Sequence, residues 1–198
     1  DLENKNKKQY FIKTFLSISF HWSSLMMIII YYFITYIKNI KIYILLPFIG
    51  ILLFKLNINI YEIIQIIISN LKIYPEIYKM YAGYQNRINI FNLISISYLL
   101  LFLAITVILI YKRDIFSNFI FILYKIFSFG LFIFYFTASL NAPVVAFRLL
   151  EYCMVVLIIL IPCIIIKFKE VIILSFLTII YYALYCYYLF SNVIKFIY

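Results

Sequence analysis

Polar chemistry is scarce in this chain, so the few groups able to carry it stand out. His21, the only histidine, lies in Ser19-Phe20-His21-Trp22-Ser23-Ser24-Leu25, a polar break inside an otherwise apolar run. Imidazole titrates near neutral pH. An ionisable ring at membrane depth is costly unless it lines a wet cavity or finds a partner, which makes His21 a functional candidate. The plainer reading is a neutral ring donating to a helix carbonyl. Arg148 is the second candidate. It follows the turn-rich stretch Thr137-Ala138-Ser139-Leu140-Asn141-Ala142-Pro143 and is read as opening a helix, with Glu151 and Tyr152 on its face at i+3 and i+4. A guanidinium there can clamp a phosphate bidentately and keeps its charge when buried. The alternative is an arginine that snorkels to the headgroups while paired with Glu151.

A third group of candidates is aromatic. Tyr74, Tyr78 and Tyr81 recur at three- to four-residue spacing, followed by Tyr84, within a polar segment that also carries Glu76, Lys79, Gln85, Asn86 and Arg87. Tyr78, Tyr81 and Tyr84 could stack on sugar faces while Arg87 and its polar neighbours supply hydrogen bonds. The simpler assignment places the rings at headgroup level on interfacial helices. Cys153, Cys163 and Cys186 match no zinc or redox spacing and read as small hydrophobes. No carboxylate pair or phosphate loop for a metal-bound nucleotide is visible, so neither metal nor cofactor is expected.

The elements that must position these groups follow from composition. Hydrophobic residues make up 68% of the chain, charged residues 12%, and the mean hydropathy is +1.10, far more apolar surface than one soluble core could hide. The expected class is all-α, a polytopic transmembrane helical bundle, because several runs approach the length needed to cross a bilayer and none alternates like an outer-membrane strand. The wealth of Ile, Phe, Tyr, Asn and Lys has the look of an AT-rich coding sequence, so single tyrosines carry little weight. The net charge of +10 falls mostly at the edges of apolar runs, where it sets topology and meets anionic headgroups, and no nucleic-acid site is read from it.

Spans are read at about 10–37, 42–56, 93–111, 115–137, 148–166 and 171–190, with an external segment at 57–92 that bears interfacial helices; Ile60, Ile63, Ile64, Ile67 and Ile68 fall there at helical spacing. The chain is taken as one integral membrane domain over 1–198. Beginning at Asp1, it reads as the C-terminal part of a longer protein. Charge creates a conflict in the first span. If Lys112-Arg113 and Lys167-Lys169 are cytoplasmic, so are Lys38 and Lys41, yet the basic N-terminal flank belongs there too. Both hold only if residues 10–37 enter and leave from one side, as a re-entrant pair or two short crossings turning at His21-Trp22-Ser23-Ser24. A single tilted helix is the alternative. Lys125, in mid-span, either pairs across helices or faces a cavity.

Phe20-His21-Trp22-Ser23-Ser24-Leu25, after a Lys-rich approach, resembles the "FHxSAL" element of Wzy-type O-antigen and exopolysaccharide polymerases, including the EpsG-like branch, with Ser24 where alanine is usual. Phe147-Arg148-Leu149-Leu150-Glu151-Tyr152 is similar to that family's "xRxxxY" element. The two stand in the family's order and cover its C-terminal half. The resemblance implies a GT-C-like glycosyltransferase of the bacterial inner membrane that moves a growing glycan from one undecaprenyl diphosphate carrier to the next carrier-linked repeat on the periplasmic face. Its partners would be the lipid-linked donor and acceptor, membrane lipids and a chain-length regulator. Arg148, with Arg87 second, would hold the leaving diphosphate. His21 would take the acceptor proton or contact the diphosphate. A flippase or transporter, or an O-antigen ligase, handling the same glycans, and a proton-conducting or structural subunit of an organellar complex, are the competing classes.

Overall fold

The computed structural model describes residues 6–20, 24, 26–56, 89–138, 143–167, 180 and 183, and its regular structure there is entirely helical. In chain order the helices are α1 (Lys7–Phe20), α2 (Met26–Tyr36), α3 (Ile40–Lys55), α4 (Leu93–Tyr111), α5 (Asn118–Ala138), α6 (Pro143–Met154) and α7 (Leu157–Lys167), with a 3-10 turn at Arg113–Ile115. The all-α class thus holds. The stretches Leu93–Tyr111, Asn118–Ala138 and Ala146–Lys167 are long and apolar enough to cross a membrane. The expected span at 171–190, but for Ile180 and Ala183, and the periodic segment at 57–88 lie outside the described residues.

Local signals start the helices. Asn39 accepts from Lys41 N at 3.0 Å to cap α3, and Asn92 accepts from Ser95 N at 2.8 Å to cap α4, each satisfying a donor that has no partner within its helix. Pro143 is the first residue of α6, where its missing N–H costs nothing. The helix therefore begins five residues before Arg148, and the reading of Arg148 as its opening residue is corrected.

The chain packs as two compact units, residues 1–88 with 118–157 and residues 89–117 with 158–198. In the first, α5 is the central helix. Gly50 brings α3 against it: a Cβ there would lie 3.0 Å from both the Phe132 carbonyl oxygen and Tyr135 Cβ. Gly130 does the same for α6, since a methyl at that position would overlap Cβ of Cys153. Pro47 sits inside α3 and cannot donate to the Tyr43 carbonyl four residues back. Ser128, fully buried on α5, donates its hydroxyl to that oxygen instead. A helix interrupted by proline is thereby kept free of a buried orphan acceptor.

Residues 10–37 do not form one helix. Tyr10 and Tyr31, whose ring centroids lie 4.9 Å apart, would be separated by about 31 Å along a continuous helix. Instead α1 and α2 run antiparallel: the Tyr10 hydroxyl donates to the Met27 carbonyl at 2.7 Å, Phe11 packs on Tyr31, and the Ser17 and Ser24 hydroxyls bond to each other at 2.7 Å.

In the second unit, α4 buries Tyr98, Leu101, Phe102, Ile105 and Leu109 at the three- and four-residue spacing of a helix face. Ser95 Oγ donates to the Ile90 carbonyl at 2.6 Å, tying the approach segment to the first turn. At the other end, Lys167 Nζ donates to the Ile115 carbonyl at 3.1 Å. This contact joins the basic end of α7 to the basic turn that carries Lys112 and Arg113.

Candidate active site

Three pairings in the first unit fix the levels of its helices. Along α2 and α5, Phe33 meets Phe129 with ring centroids 4.8 Å apart, and Ile37 accepts from Lys125 Nζ at 3.4 Å. Four residues forward on α2 match four back on α5, an antiparallel register. Continued at the helical rise, it sets Met26 at about the level of Phe136, close to the C-terminal end of α5. Helix α6 then turns back along α5, with Phe147 against Phe134 at 5.2 Å and Cys153 beside Gly130. Helix α3 is parallel to α5, since Tyr43 meets Ser128 and Gly50 meets Phe132.

The flanks of both sequence elements consequently share one end of this unit. Ser24 and Met26, which follow the His21 position, and the opening turns of α6, which carry Arg148, all lie toward the C-terminal end of α5. Lys38, in the turn between α2 and α3, and Lys41, in the first turn of α3, mark the opposite end. Ser24 is 1% exposed, and its bond to Ser17 closes the two helices on each other just beyond the histidine. Nothing in the spacing of Ser17 marks it as a partner, because two hydroxyls seven residues apart meet only if the chain reverses between them.

Arg148 is exposed in the second turn of α6, Glu151 is exposed and Tyr152 is half-buried. No ion pair joins Arg148 to Glu151 among the described residues, so the guanidinium is not occupied by its neighbour one turn on. Tyr152 lies within electrostatic reach of the Tyr10 phenol of α1. An open apolar groove of about 400 Å³, lined by Phe11, Ile12, Phe15, Leu16 and Ile28, runs along the surface of that pair. His21, Tyr78, Tyr81, Tyr84 and Arg87 lie outside the described residues. No cluster of three His, Cys, Asp or Glu suited to a metal occurs among the described residues.

A family model described as the EpsG family matches residues 1–198. The chain belongs to the EpsG family. No curated protein and no solved structure is significantly similar to it. EpsG is a family of glycosyltransferase-like polymerases, and membership together with the long apolar helices supports a membrane protein of polysaccharide biosynthesis. In this EpsG-family chain, Ser24 and the start of α2, which follow His21 in the sequence, lie toward the same end of α5 as the opening turns of α6, which carry Arg148.

Proposed function

We propose that this EpsG-family chain polymerises undecaprenyl-diphosphate-linked oligosaccharide repeat units into O-antigen or exopolysaccharide on the periplasmic side of the bacterial inner membrane. The observation that carries the reading is the common end of α5 reached by Ser24, just after His21, and by the helix of Arg148. With Lys38 and Lys41 at the other end, the positive-inside rule assigns the shared end to the outer face.

The reaction needs few parts. The acceptor sugar hydroxyl attacks the anomeric carbon of the donor glycan, the bond from that carbon to the carrier diphosphate breaks, and the acceptor proton leaves. Arg148 would neutralise the departing diphosphate, where a fixed cation is worth most because charge grows as the bond breaks. Arg87 is the second candidate for this role. His21 would accept the proton, or donate to the diphosphate when protonated. The apolar groove at Phe11, Phe15 and Ile28 suits an isoprenoid tail. Tyr78, Tyr81, Tyr84, Glu151 and Tyr152 are the proposed glycan contacts, and a chain-length regulator the proposed partner.

Deletion and complementation in a host bearing O-antigen or capsule tests the proposal through the glycan ladder. A single repeat on lipid A in the deletion strain, restored to long chains by the wild-type gene, is the expected result. Absence of any glycan on lipid A would instead identify a ligase or flippase. His21→Ala and Arg148→Ala should each reproduce the single-repeat pattern at normal protein level. Wild-type ladders from both would remove these residues from the mechanism.

A further inference from the structure

Lys125 is an expensive residue left without a task by the chemistry above. It is the eighth residue of a 21-residue apolar helix, about 10 Å from the helix start, and half-buried. Among the described residues the carboxylates are Asp114 and Glu151, and neither pairs with it. Its ammonium lies 3.4 Å from the Ile37 carbonyl and 5.0 Å from the centroid of the Tyr43 ring. Tyr43 reaches the same place, its hydroxyl shared between the carbonyls of Phe33 at 2.8 Å and Ile37 at 3.1 Å. Those oxygens belong to the last turn of α2 and the residue after it, where backbone acceptors run out of helical donors and partial negative charge collects.

One cation and one phenol, from two different helices, thus cap the C-terminal end of α2. The other end of that short helix follows the His21 position. Because α2 has only 11 residues, a shift at its capped end is carried to its start with little bending to absorb it.

We propose that Lys125 is a positioning residue which, with Tyr43, anchors the C-terminal end of α2 to α5 and α3 and so sets where α2 begins, five residues after His21 in the chain, at the end of the unit it shares with the helix of Arg148. This rests on the polymerase reading. It differs from a merely structural role in its consequence for turnover. A lysine with no such task would be improved upon by an apolar residue of similar length, since a desolvated charge is removed. A positioning lysine would lose rate instead, because a displacement of about 1 Å at reacting groups costs one to two orders of magnitude.

The test uses the full chain in proteoliposomes with lipid-linked repeat units, with turnover expressed per folded molecule. Lys125→Met should lower kcat about tenfold with KM for the repeat unit within about twofold of wild type. Lys125→Arg, which keeps a cation and donors, should recover most of the rate. Tyr43→Phe should lower kcat by about threefold and add little to Lys125→Met, because both variants release the same helix end. Should Lys125→Met fail to accumulate, Tyr43→Phe carries the test alone. Loss of polymer in His21→Ala alongside wild-type kcat in Lys125→Met, or in Tyr43→Phe where only that variant folds, overturns the inference and leaves the polymerase reading intact. Full polymer from both His21→Ala and Arg148→Ala overturns the reading and the inference together.

Discussion

Ser128 donates its hydroxyl to the carbonyl of Tyr43, the acceptor that Pro47 leaves without a helical N–H. Proline and serine sit on different helices, so a defect in the backbone of α3 is repaired by a side chain of α5. Ser128→Ala should therefore lower stability by about 1–3 kcal/mol, the cost of a buried acceptor with no donor. Thermal unfolding in detergent micelles would read this, and Pro47→Ala in the same background should return part of the loss by restoring the helical bond. A Ser128→Ala protein as stable as wild type would show that the carbonyl finds another donor.

The two glycines should differ in their tolerance of alanine. At Gly130 the added methyl meets Cβ of Cys153, an atom fixed to the α6 backbone, whereas at Gly50 the closest atoms lie at 3.0 Å, within reach of a small shift. Gly130→Ala is expected to cost more than about 2 kcal/mol, and Gly50→Ala less. Melting temperatures of the two variants would order them. The reverse order would mean that α6 yields more readily than α3.

The reversal between α1 and α2 predicts a cross-link. With hydroxyl oxygens 2.7 Å apart, Ser17→Cys with Ser24→Cys should form a disulfide on mild oxidation, in a background where Cys153, Cys163 and Cys186 are replaced by alanine. In one continuous helix the two positions would be about 10 Å apart along the axis, too far to bridge. Mass spectrometry of a peptide spanning both sites distinguishes the outcomes. No cross-link under conditions that oxidise a control pair would argue for the straight helix.

Arg148 and Glu151 are neighbours without being partners. Glu151→Gln should accordingly leave stability within about 0.5 kcal/mol of wild type, as for a surface change that breaks no buried pair. Arg148→Lys tests the role proposed for the guanidinium, because an ammonium keeps the charge but not the planar fork. Shortened glycan chains on a complementing strain are expected from it, and a full-length ladder would show that charge alone suffices.

Much of this architecture is written in single-chain properties. Hydropathy and composition determine an all-helical membrane chain, because apolar residues in this proportion have no other place to go. Asn39 and Asn92 mark helix starts through chemistry that needs only the next few residues. The charge conflict around residues 10–37 exposes a reversal as one of its two resolutions, since lysines at both ends of one apolar run obey the positive-inside rule only if the run returns.

What neighbours do to one another is absent from such patterns. A helical period tells which residues share a face; it carries no information on which turn of one helix meets which turn of the next. Only the packed helices could decide that Lys125 reaches the end of α2, that Ser17 finds Ser24, that Ser128 answers Pro47, and that Ser24 and the arginine-bearing helix come to one end. Each of these is a register between elements far apart in the chain, settled by close packing at Gly50 and Gly130 and by buried polar groups that must find partners.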